Sequence, residues 1–137
     1  MSHPRVVLRE DDLALASILV ELFADEHIDV SRCTSFEEIQ TALDDYPGAI
    51  VVSDCWSHDS GGQISSLEVN EIVALGRVAP VIVTTDRSWP ARASELPLGE
   101  RVVVIPKPYD VDQLLDAIRV AAERRSEGSR GYRSRQC

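Results

Sequence analysis

The sequence predicts an α/β fold: a doubly wound parallel sheet with helices on both faces. Short apolar runs, among them Val6-Val7-Leu8, Ala49-Ile50-Val51-Val52 and Val102-Val103-Val104-Ile105, alternate with longer stretches whose apolar residues recur at helical spacing. The order reads strand–helix five times, and right-handed crossovers turn such an order into a parallel sheet covered on both sides. Three of the runs also end in charge, at Glu10-Asp11-Asp12, Asp54 and Lys107. Open sheets of this class place their chemistry at the carboxyl ends of the strands.

Each element has its own signal. The first strand is Val6-Val7-Leu8-Arg9. Leu13, Leu15, Ile18, Leu19, Leu22 and Phe23 then fall on one helical face, with Asp11 or Asp12 near the cap. A short strand follows around Val30-Ser31-Arg32-Cys33. Ser35-Phe36-Glu37-Glu38 reads as a capping box, serine at the N-cap and glutamate three residues on, and the helix it opens stops before Pro47-Gly48. The third strand closes at Asp54. Leu67, Ile72, Val73 and Leu75 predict a helix over residues 66–76. Pro80 opens the fourth strand, Val81-Ile82-Val83-Thr84, which ends in Thr85-Asp86. Pro90, Pro97 and Gly99 interrupt the next segment, so residues 87–101 are expected to hold one short helix or an irregular loop. After the fifth strand, residues 102–106, Asp110 caps a last helix whose apolar face carries Val111, Leu114, Leu115, Ile118 and Ala122.

Composition narrows the function. A chain of 137 residues, 44% hydrophobic and 27% charged, builds one domain with a core of its own. No apolar run approaches the roughly 20 residues that span a bilayer, and the N-terminus lacks the apolar centre of a signal peptide, so no membrane contact and a cytoplasmic site are expected. Cys33, Cys55 and Cys137 have no metal-binding spacing and read as reduced thiols. A net charge of −9 argues against nucleic-acid binding by the main body. The end of the chain differs: Arg124, Arg125, Arg130, Arg133 and Arg135 face only Glu127, and the Ser, Gly and Arg content predicts a flexible tail. Neither GxxxxGK[ST] nor GxGxxG occurs, which disfavours a nucleotide site.

With the strands side by side, Glu10, Asp11 and Asp54 converge with Lys107. Clustered carboxylates repel one another and raise their own pKa values, and a hard divalent cation relieves that. Magnesium suits the set, because it takes a few carboxylates, keeps waters and accepts phosphate oxygens. A carboxylate beside it can attack phosphorus and form an acyl phosphate, while an ammonium neutralises the transferring group. A hydroxyl on the neighbouring strand end, Thr84 or Thr85, could then bond the phosphoryl oxygens. Alone, the acids could equally be helix N-terminal residues favoured by the macrodipole.

The set Val7-Leu8-Arg9-Glu10-Asp11-Asp12, Val51-Val52-Ser53-Asp54, Pro80-Val81-Ile82-Val83-Thr84-Thr85 and Pro106-Lys107-Pro108 resembles a response-regulator receiver domain of two-component signalling. The resemblance spans residues 4–124 and leaves 125–137 as the tail. It implies a flavodoxin-like five-stranded sheet of order 2-1-3-4-5. It makes Asp54 the phosphoacceptor and Glu10, Asp11 and Asp54 the magnesium-binding acids, with the backbone carbonyl of Trp56 as a further ligand. Lys107 becomes the conserved lysine of the pattern, with a cis bond to Pro108, and Thr85 the switch hydroxyl, Thr84 being the alternative. The implied function is a stand-alone response regulator, phosphorylated with magnesium by a sensor histidine kinase or histidine phosphotransfer protein. It would signal to a downstream protein, with a homodimer as one candidate form. It would not be an enzyme beyond self-phosphorylation and self-dephosphorylation.

Four positions depart from the pattern. Val104 stands where an aromatic switch residue is usual, His58 where a proline is usual, and Asp86 where a small residue is usual; Pro90 and Pro97 break the helix expected there. These favour, as the first alternative, a receiver-shaped adaptor that binds without phosphorylation. A phosphohydrolase using Asp54 as nucleophile is the second; haloacid-dehalogenase-type enzymes carry an aspartate two residues on, where this chain has Trp56.

Overall fold

Parallel pairing of buried β-branched runs organises the chain. The computed structural model describes residues 3–55, 66–85 and 98–136. Five strands, β1 (Arg5–Arg9), β2 (Asp29–Cys33), β3 (Ile50–Cys55), β4 (Val81–Thr85) and β5 (Val102–Pro106), form one sheet of order β2-β1-β3-β4-β5. All four pairings are parallel, with Val6 opposite Ile50, Asp54 opposite Thr84 and Thr85 opposite Pro106. The expected order 2-1-3-4-5 is the observed one.

Side chains alternate across each strand, and both faces are covered. Val7, Val51, Val81 and Val83 pack on one face against α2 (Phe36–Asp45) and α3 (Ser66–Val78) through Ile39, Leu43, Ile72 and Leu75. Val6, Leu8, Ile50, Val52, Ile82 and Ile105 pack on the other against α1 (Leu13–Asp25) and α4 (Val111–Gln136) through Leu19, Phe23, Leu114, Leu115 and Ile118. Burying each such side chain contributes about 1.5–3 kcal/mol. Among the described residues no helix is long and apolar enough to cross a membrane.

Local chemistry fixes the helix ends. Asp12, one of the two expected caps, accepts the Leu15 N–H at 3.0 Å. The α1 C-terminus closes through His27 at φ 61°, with Ile28 N–H donating to the Phe23 carbonyl and His27 N–H to that of Ala24. That is a Schellman closure with histidine where glycine is usual, sealed by Phe23 and Ile28 in the same core. Ser35 caps α2 as expected, but Glu38 reaches past it to the N–H and hydroxyl of Thr34.

Two boundaries differ from the sequence reading. Helix α3 continues two residues past Gly76, because that glycine ends nothing: a Cβ there would lie 2.9 Å from Val102 Cγ2, so it is a close approach between helix and sheet. Helical backbone also continues through residues 125–136, where a flexible tail was expected. Lengthening an existing helix needs no new nucleus, which favours continuation even though Gly128 and Gly131 are poor helix formers. Residues 86–97, with Asp86, Pro90 and Pro97, lie outside the described residues, as do Trp56 and His58.

Candidate functional site

The carboxyl ends of β1, β3 and β5 deliver one side chain each to a single cluster. Glu10 follows β1, Asp54 ends the buried stretch of β3, and Lys107 follows β5. The Lys107 ammonium donates to Asp54 Oδ1 at 2.9 Å and to Glu10 Oε1 at 3.1 Å, so one cation bridges two carboxylates that are only 6% and 8% exposed. Backbone donors hold the outer oxygens: Asp11 N–H reaches Asp54 Oδ2 at 3.3 Å, and Asp12 N–H reaches Glu10 Oε2 at 3.1 Å. The Lys107–Pro108 bond is cis, as the resemblance implies.

The electrostatics follow from burial. Desolvation, reinforced by the hydrogen bond and charge of Asp54, pushes the Glu10 carboxyl up to about 7. Burial works against the Lys107 ammonium, but hydrogen bonds and charge from Asp54 and Glu10 outweigh it and raise its pKa. Two acids thus share one cation in a site short of positive charge.

Other expected residues take different places. Asp11 is at the cluster, but it contributes its N–H there and its side chain is exposed. Thr84 stands directly opposite Asp54 in the sheet register. Thr85 is 1% exposed, and its buried hydroxyl has no hydrogen-bond partner among the described residues. Among the described residues no group of three His, Cys, Asp or Glu side chains is gathered as a finished metal cage. The donor chemistry nonetheless suits magnesium: hard carboxylate oxygens from Glu10 and Asp54, with a third carboxylate next along the chain. A raised Glu10 marks negative charge that a cation would relieve. The Trp56 carbonyl lies outside the described residues.

Sequence reasoning passed over two residues. Tyr109 is half-buried, its hydroxyl has no partner among the described residues, and burial, then the Glu10 charge, push its phenol up. Arg9 closes β1 with its Nε buried and without a partner among the described residues. Its signal was legible, since an arginine ends an otherwise apolar run.

Comparison with solved structures places this geometry. The signal receiver domain of a protein designated a Luxo repressor, from Vibrio parahaemolyticus, superposes with a TM-score of 0.71 at 20% identity, covering 93% of this chain and 95% of that one. The chain has the receiver-domain fold. A Francisella response-regulator receiver domain matches with a TM-score of 0.69 at 19% identity, over 89% of this chain and 98% of its own. The Vibrio cholerae chemotaxis protein CheY4 matches with a TM-score of 0.66 at 11% identity, over 87% and 98%. No family model matches the sequence, and no curated protein does. At such identities the shared property is the receiver fold, with its strand ends converging where this chain carries Glu10, Asp54 and Lys107.

Proposed function

We propose that the protein is a response regulator that accepts a phosphoryl group on Asp54. The observation that carries this reading is the bridged pair: a buried carboxylate at a strand end, shared by one ammonium with a second acid whose proton affinity is raised. In the proposed reaction an Asp54 carboxylate oxygen attacks phosphorus, the bond to the donor nitrogen breaks, and the donor imidazole leaves with that electron pair. The phosphoryl donor is a sensor histidine kinase or histidine phosphotransfer protein. Lys107 is already within hydrogen-bond distance of Asp54 and would follow the transferring charge.

Glu10, Asp11 and Asp54, with the Trp56 carbonyl, would hold magnesium, which when bound supplies charge neutralisation at the phosphoryl oxygens. Thr85 is the better switch residue. Its buried hydroxyl has no partner among the described residues, and phosphoryl oxygens would supply an acceptor. Readout is a change of contacts with a downstream protein, or between two copies, in the cytoplasm. Residues 4–124 make the receiver unit and 125–137 an appendage to it.

The test is intact mass after incubation with acetyl phosphate. A single phosphoryl gain that needs both magnesium and Asp54, absent in Asp54→Asn, is expected. A folded protein that binds magnesium but gains no mass would replace this reading with that of an adaptor.

A further inference from the structure

Helices α2 and α3, side by side on one face of the sheet, leave a groove of about 620 Å³ between them. Glu37, Gln40 and Asp44 fall at helical spacing along its α2 side, and Ala74 and Val78 line its α3 side. The buried pair Leu43 and Leu75 forms the floor. Val78 is 62% exposed, so an apolar side chain stands in solvent at the groove's end. No lysine or arginine is among the described residues that line it, and neither Glu37 nor Asp44 is in an ion pair with a described residue. The opposite charge lies at the far end of the chain. Residues 125–137 hold Arg125, Arg130, Arg133 and Arg135 against Glu127 alone, in a chain whose net charge is −9.

We propose that the α2–α3 groove receives residues 125–136 of a second copy of this chain, in a reciprocal pair. The pairing does not depend on phosphorylation of Asp54. Topology rules out the copy's own segment: α4 packs with α1 on the face opposite α2 and α3, and it runs unbroken to Gln136, so it cannot turn back across the sheet. Both features lie at the same end of the molecule. Pro47 and Val78, at the end of the groove, shortly precede β3 and β4, and α4 leaves at that end after returning from the carboxyl end of β5. A copy related by a two-fold axis there gives its segment and takes its partner's, which closes the contact on itself. Among the described residues the last α4 side chain on the core is Ala122, and helix 125–136 adds about 18 Å beyond Arg124. The chemistry matches in kind. A basic segment meets an acidic rim, which sets partner and register, and Tyr132 brings an aromatic anchor to an apolar floor. Gly128 and Gly131 make this stretch a weak helix on its own, so docking would supply order that local propensity does not.

The test is sedimentation velocity of the full chain over a concentration series, at low and at high salt. Wild type should form a dimer that weakens as salt rises, because the rim of the contact is ionic. Two variants reverse its charges: Glu37→Lys with Asp44→Lys, both at exposed positions of the groove, and Arg130→Glu with Arg133→Glu and Arg135→Glu in the segment. Each alone should raise the dissociation constant about 10-fold or more. Mixed in equal amounts, the two should pair again, since the unaltered segment suits the unaltered groove and the reversed segment suits the reversed groove. Far-ultraviolet spectra check that each variant is folded; should the groove variant misfold, loss or retention of the dimer in the segment variant decides. Wild type that stays monomeric at every concentration overturns the proposal. A dimer that folded variants leave intact overturns it too, as do folded variants that are monomeric alone and do not pair on mixing.

Discussion

Glu10→Gln should abolish a pH dependence of stability that the wild-type protein shows without magnesium. The Glu10 carboxyl lies at about 7 in the folded protein against 4.5 for the free group, so the folded state binds its proton more tightly than the unfolded state. The stabilisation is full below about pH 4.5 and declines as pH rises through about 7. That gap of about 2.5 pH units, at about 1.4 kcal/mol each, is about 3 kcal/mol. Urea unfolding of both proteins in a chelating buffer, from pH 4.5 to pH 8, measures it as the change in their difference across the window. Glutamine keeps the shape and loses the ionisation, so the variant should overtake wild type as pH rises. Saturating magnesium favours ionised Glu10 and should flatten the wild-type decline. Parallel curves for the two proteins in chelator would refute the assignment of the missing positive charge to Glu10.

Lys107→Met removes the cation between Glu10 and Asp54; it should cost about 3 kcal/mol in urea unfolding at pH 8 and about 1 kcal/mol at pH 5, where Glu10 is already protonated and only Asp54 loses its partner. Thr85→Val replaces an unpartnered buried hydroxyl by an isosteric methyl, so it should raise stability by about 1 kcal/mol while slowing phosphoryl gain in the acetyl phosphate assay; a loss of stability would mean the hydroxyl is satisfied. His27→Gly relieves a non-glycine left-handed residue at the end of α1 and should add about 1 kcal/mol, read as a raised Tm without change in the far-ultraviolet spectrum.

Four of the strands were legible because each carries a short run of β-branched residues, whereas β2 holds only Val30 of that kind; the strand order came from a family resemblance. Periodicity alone gives parallel strands without saying which neighbours which. Caps at Asp12 and Ser35 were readable from local side-chain chemistry. Gly76 was misread as a helix end because its reason is a contact with Val102, distant in sequence and visible only once α3 lies on β5. The last helix outran its expected end because the Ser, Gly and Arg content argued for a break, whereas extending a helix already formed needs no new nucleus. At the site, the convergence of Glu10, Asp54 and Lys107 was foreseen, but the single ammonium bridging both acids was not. The proposed preference for Thr85 over Thr84 gains an argument from a buried hydroxyl without a partner among the described residues, a property of the folded surroundings. Arg9 stood inside a motif but was read only as the end of a strand, and Tyr109 sits in none; the buried polar atom of each is a property of the folded surroundings.

The measurement that bears most directly on the central claim locates the phosphoryl group. Protein treated with acetyl phosphate and magnesium is reduced with borohydride, which turns an aspartyl phosphate into homoserine, then digested and sequenced by tandem mass spectrometry. Homoserine at position 54 alone, and none when magnesium is chelated, is the predicted result. Homoserine at Asp11 or Asp12, or at no position in a protein that remains folded, would contradict it.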